Sequence, residues 1–82
     1  MAKLKRTWRN VLKKLANAGQ PLPQYKLPNG HGHCQSFYCA TDATINEMQA
    51  FGALRVSEVL LTGLCLYEIT DEGRALLEAH DG

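Results

Sequence analysis

Eighty-two residues, 45% of them apolar and 21% charged, with a net charge of +1, describe one ordinary soluble globular domain. A chain of this size buries only about 60% of its unfolded surface, so its core is small and leaves little room for an elaborate active site. No apolar run approaches the ~20 residues of a membrane span, the polar residues Arg9, Asn10, Lys13 and Lys14 interrupt any signal-peptide core, and three cysteines fit a reducing compartment better than a disulfide scaffold.

The first predicted element is a basic amphipathic helix over residues 1–19. Leu4, Trp8, Val11, Leu12 and Leu15 fall on one helical stripe, while Arg6, Arg9, Asn10, Lys13 and Asn17 fall on the opposite side. Gly19, with Pro21 and Pro23 beyond it, is a helix stop. The charge is unevenly placed: the first 26 residues hold seven of the nine Lys/Arg and no acid, and the remainder hold all eight acids. Such asymmetry fits a nucleic-acid contact, an acidic protein partner or a solvated helix face.

Residues 20–40 read as an irregular hairpin or loop. All three prolines fall here, and Pro28-Asn29-Gly30 is a turn signal between Tyr25-Lys26-Leu27 and Ser36-Phe37-Tyr38-Cys39. This segment also holds His31, His33, Cys34 and Cys39, all capable zinc ligands. Zinc sites usually bring two ligand pairs together from separate segments, whereas these four lie within nine residues and His33 and Cys34 are adjacent. A solvated turn with ordinary thiols is the competing reading, Cys65 is a substitute ligand, and a Cys34–Cys39 disulfide is open to oxidised preparations.

A second helix is predicted over 41–52, capped by Thr41 or Asp42, with Ile45, Met48 and Phe51 facing inward and Thr44, Asn46, Glu47 and Gln49 left for solvent or a partner. Gly52 ends it. Residues 54–69 form a β-hairpin about Thr62-Gly63. A last helix follows over 70–80, with Thr70 as its cap and Asp71 and Glu72 where the helix dipole favours negative charge. No serine, cysteine or histidine stands in a recognisable nucleophile–base arrangement, and no phosphate-cradling glycine motif is present, so no catalytic residue is assigned.

The stretch Phe51-Gly52-Ala53-Leu54-Arg55-Val56, the hairpin with its tyrosine strand, the Thr70 cap and Gly73-Arg74-Ala75-Leu76-Leu77 resemble the second half of a winged-helix domain, over roughly the last 40 residues. The resemblance implies an α+β fold with a recognition-type helix at 41–52 and a wing at the hairpin. The helix that normally precedes the recognition helix has little room among the prolines of residues 20–40. A DNA-binding regulator of this family would place its recognition helix in the major groove and its wing on phosphate or the minor groove. Here the recognition helix carries Asp42 and Glu47 and no base, and the wing tip Leu60–Leu64 carries no charge, although phosphate binding rests on Lys and Arg.

The leading expectation is therefore a non-enzymatic binding protein without a cofactor. It would act stoichiometrically on a protein or ribonucleoprotein, in the manner of small phage or mobile-element inhibitors such as anti-CRISPR proteins, a setting inferred by analogy from size and domain type. Lys5, Arg6, Arg9, Lys13 and Lys14 would meet an acidic or nucleic-acid-mimicking surface, with Leu61, Thr62 and Leu64 as a second contact. The protein would be a monomer or homodimer in the cytoplasm, that of the host if phage-encoded. One alternative is a dimeric DNA-binding repressor using Thr44, Asn46, Gln49 and Arg55, with salt-sensitive affinity. Another is a zinc-stabilised interaction domain through His31, His33, Cys34 and Cys39, which would unfold on chelation.

Overall fold

The computed structural model describes residues 4–33 and 38–81. Among these the fold is α+β, with three α-helices and a three-stranded antiparallel sheet of order β1-β3-β2. Helix α1, Arg6–Ala18, buries Val11, Leu12 and Leu15 on the predicted stripe and ends at Gly19, whose N–H donates to Leu15 O at 3.3 Å. The helix begins at Arg6 rather than at the chain start, and Leu4 lies before it, half-buried.

The segment after α1 departs from the expected hairpin in its first half. Leu22–Pro23 form β1 on the sheet, with Leu22 opposite Tyr67 and Pro23 opposite Leu66. Proline is tolerated there because β1 is an edge strand. Gln24–Lys26 make a 3-10 turn instead of a strand. The Gln24 side-chain amide donates to Ala40 O and Asp42 Oδ1, both at 2.8 Å, tying this turn to the entry of the next helix. The expected closure is present further on: Pro28 bridges Cys39, and Ala40 N donates to Leu27 O at 2.9 Å.

Helix α2, Asp42–Phe51, is capped by Thr41, whose Oγ1 accepts from Thr44 N at 3.3 Å. Ile45 and Met48 are buried, but Phe51 does not face inward as expected. It is 55% exposed and its ring meets Trp8 edge-on, with centroids 5.6 Å apart. As the last residue of the helix it lies beyond the core, and Trp8 of α1 is the apolar surface within its reach. Thr41→Ala should lower stability by about 1 kcal/mol, the usual worth of such a cap. That corresponds to about 4–8 °C in Tm for a domain of this size, measurable by thermal unfolding; an unchanged Tm would remove the cap from the account.

Strands β2, Leu54–Val59, and β3, Cys65–Ile69, form the predicted hairpin. Its turn is fixed by two bonds of 2.8 Å, Gly63 N to Leu60 O and Leu60 N to Leu64 O. Gly63 has φ 89°, the left-handed residue that closes a three-residue hairpin loop and that glycine adopts at no steric cost. Helix α3, Asp71–Asp81, starts on the corner between α2 and β2. Thr70 N donates to Ala53 O, the Thr70 hydroxyl donates to Gly52 O, and Gly73 N donates back to Thr70 Oγ1 at 3.0 Å.

The core gathers Val11, Leu12 and Leu15 from α1, Leu22 from β1, Leu27 and Ala40 from the connecting segment, Ile45 and Met48 from α2, and Ala53 and Leu54 where β2 begins. Trp8, Tyr67, Ile69, Leu76 and Leu77 pack around it, partly buried. Each such leucine contributes about 1.5–3 kcal/mol by leaving water. Beyond Leu54 the hairpin runs off this core. Residues 55–61 are all exposed, and the molecule measures 39 × 24 × 22 Å.

Candidate interaction surfaces

Three surfaces carry the residues singled out in the sequence: the hairpin, the outer side of α1 and the face of α2. On the hairpin, strand pairing fixes which side chains share a face. Val56 is opposite Tyr67 and Val59 opposite Cys65, whereas Arg55 is opposite Glu68 and Glu58 opposite Leu66. Alternate residues of β3 point the same way, so Val56 and Val59 share the core-side face and Arg55 and Glu58 the outer one. The odd spacing within each pair is absorbed at Ser57, where the register shifts by a β-bulge.

The hairpin is apolar as well as exposed. Val59 is 61% exposed and Leu61, at the first position of the turn, is fully so. Thr62 is exposed and Leu64 half-buried. From Val56 to Tyr67 there is no Lys or Arg. Arg55 pairs with Glu68 across the strands. At the base of this face, burial raises the Tyr67 hydroxyl above its ordinary pKa of 10.0, and the nearby Cys65 and Asp42 add to the rise when ionised. Tyr67 is therefore a neutral, partly buried ring beneath Val56.

Of the predicted cations, Arg6, Arg9, Lys13 and Lys14 lie on α1 and Lys5 just precedes it, and Arg6, Arg9 and Lys14 are exposed. Lys5 Nζ is 3.4 Å from Glu47 Oε2 of α2, and Lys13 is half-buried. Asn10, read with the solvated side, donates through Nδ2 to Asn29 O at 2.9 Å and holds the following loop. On α2, Asn46 is exposed and Gln49 half-buried, while Thr44 is engaged with the Thr41 cap. The set Thr44, Asn46, Gln49 and Arg55 therefore presents one exposed uncharged polar residue and one arginine paired with Glu68.

In the histidine-bearing turn, Asn29 Oδ1 accepts from the backbone N–H of His31 at 2.8 Å and of His33 at 3.2 Å, which orders the backbone without using either imidazole. Both histidines are exposed, and the His33 ring meets that of Tyr38 at a tilt of 59° with centroids 5.8 Å apart. Cys39 is half-buried, and Cys34 lies outside the described residues. Among the described residues no three His, Cys, Asp or Glu side chains come together in a group that could hold a metal ion. An open cleft lined by Gly52, Arg55, Ile69, Thr70, Asp71 and Glu72 lies beside the start of α3.

No family model matches the chain, and no curated protein or solved structure matches it. No helix among the described residues is long and apolar enough to cross a membrane. Val56, Val59 and Glu58 were not singled out from the sequence. The signal available there was the break of strict alternation in Val56-Ser57-Glu58-Val59, which a single extra residue on the strand explains.

Proposed function

We propose that this is a non-enzymatic, winged-helix-like binding domain that acts by occupying a protein or ribonucleoprotein surface. The element order and the sheet order β1-β3-β2 are compatible with a winged helix in which a 3-10 turn and a loop replace the helix before α2. The observation that carries the functional reading is the hairpin. It runs off the core with a fully exposed Leu61 at its turn and no cation from Val56 to Tyr67. A wing of that composition suits a desolvated protein contact, since contiguous exposed apolar surface marks interaction sites, and it suits phosphate poorly. The cations of α1 give the same domain a second contact, toward an acidic or nucleic-acid-mimicking surface. By analogy of size and domain type, an inhibitor encoded by a mobile element, an anti-CRISPR protein included, is the setting this reading favours.

The test compares two binding assays on the same three proteins: the wild type, Leu61→Asp, and the double reversal Arg6→Glu, Lys14→Glu. Retention on a random duplex DNA pool is measured at ~50 and ~200 mM salt, the range over which phosphate-driven affinity falls. Capture from host lysate is measured in parallel. The expected result is little DNA retention at either salt, and a captured protein whose binding drops about tenfold or more with Leu61→Asp, as for a central apolar contact. Salt-sensitive DNA retention that the charge reversal abolishes and Leu61→Asp leaves unchanged would replace this reading with DNA binding.

A further inference from the structure

We infer that the open edge of β2 is a self-association surface, filled by β2 of a second copy of this chain in antiparallel register about a two-fold axis between Val56 and Ser57. β2 lies at the edge of the sheet, and its residues Arg55–Val59 are exposed. An edge strand presents unpaired N–H and C=O groups, and proteins commonly block such an edge with lysine, proline or a bulge; the bulge of β2 falls at Ser57, beside the proposed axis. β2, of sequence Leu-Arg-Val-Ser-Glu-Val, has neither lysine nor proline.

Charge selects a second copy as the occupant. The bulge at Ser57 places Arg55 and Glu58 on the same face although they are three residues apart. Antiparallel pairing about the stated axis therefore sets Arg55 of one copy opposite Glu58 of the other, and the two-fold repeats the contact, so one strand supplies both halves of a complementary pattern. In the same arrangement Val56 and Val59 of both copies fall on the other face of the joined sheet. The two Val56, 40% exposed in the single chain, then flank the axis, and Val59, 61% exposed, faces Leu54 of the other copy. The net charge of +1 leaves almost no overall repulsion between copies. The contact uses the strand edge and leaves the hairpin tip and α1 for another partner.

Sedimentation equilibrium of the full chain from about 5 to about 500 µM, the span in which small interfaces of modest affinity associate, is the test. The weight-average mass should rise from the 9.1 kDa of one chain toward twice that value. Glu58→Arg, which leaves the internal Arg55–Glu68 pair intact, sets like charges opposite each other twice and should weaken association about tenfold. Adding Arg55→Glu together with Glu68→Arg, which keeps the internal pair with its charges exchanged, should restore most of it, with circular dichroism verifying the fold of each variant. Leu61→Asp at the tip should leave self-association unchanged, which separates this contact from the partner contact proposed for the hairpin turn. A single-chain mass at every concentration, a triple variant that fails to recover, or loss of association in Leu61→Asp would each overturn the inference.

Discussion

Gly73→Ala is expected to destabilise the domain by about 2 kcal/mol or more, because it would overpack a rigid contact. The usual sign of this change inside a helix is opposite: alanine is better than glycine by about 1 kcal/mol. Gly73 lies in the first turn of α3, where a Cβ would stand 2.1 Å from the carbonyl oxygen of Ala53 and 3.0 Å from Cγ1 of Ile69. The obstructing atom is backbone. It belongs to the corner onto which Thr70 is hydrogen-bonded from two sides, so a flexible side chain cannot turn away to make room. Urea unfolding, with the midpoint read at unchanged m-value, measures the effect. A variant as stable as the wild type would mean that α3 does not sit on the Gly52–Ala53 corner as described.

Leu12→Ala should cost about 2–5 kcal/mol, the range for emptying a fully buried leucine site. Leu12 is 0% exposed in the middle of α1, and neighbours from α2 and the connecting segment close over the same core. At about 0.05–0.15 kcal/mol per residue, a domain of this length has about 4–12 kcal/mol of stability in all. The substitution would therefore remove a large share and leave a fraction of the chain unfolded at moderate temperature. Leu61→Ala is the matched control: the same atoms are removed where the side chain is already in water, and the unfolding free energy should change by no more than about 0.5 kcal/mol. Equal losses at the two positions would contradict the assignment of one leucine to the core and the other to the surface.

The sequence disclosed what local chemistry governs. The stripe of Trp8, Val11, Leu12 and Leu15 specified the buried side of α1, Thr41 and Thr70 marked the starts of α2 and α3, and Thr62-Gly63 located the hairpin turn. Contacts between distant residues were not legible. Nothing near Leu22-Pro23 announces a strand, because what makes it one is the edge of β3 presented by Tyr67 and Leu66. The turn at Gln24–Lys26 similarly depends on a bond to Ala40. Leu61 and Leu64 stand together at the hairpin tip in the sequence. They divide, Leu61 entirely exposed and Leu64 half-buried, because only the second lies where β3 starts back toward the core. For Glu58 the broken alternation hints at an extra residue, but which face the side chain takes depends on the register of the neighbouring strand.

The two residues of β1 have a bearing on the order in which the molecule assembles. Their partners on β3 lie about 45 residues further along, a loop whose closing entropy must be met before its contacts repay it. The hairpin closes through a three-residue turn, an event on the scale of ~1–10 µs. β3 therefore acquires β2 early and β1 late, and in the interval it is itself an edge, with the valines of one neighbour exposed and no neighbour on the other side. Dilution during refolding should favour the correct product for this reason: it slows the encounters between chains that would fill the vacant side of β3 before Leu22 and Pro23 arrive, and leaves the closure within one chain unaffected.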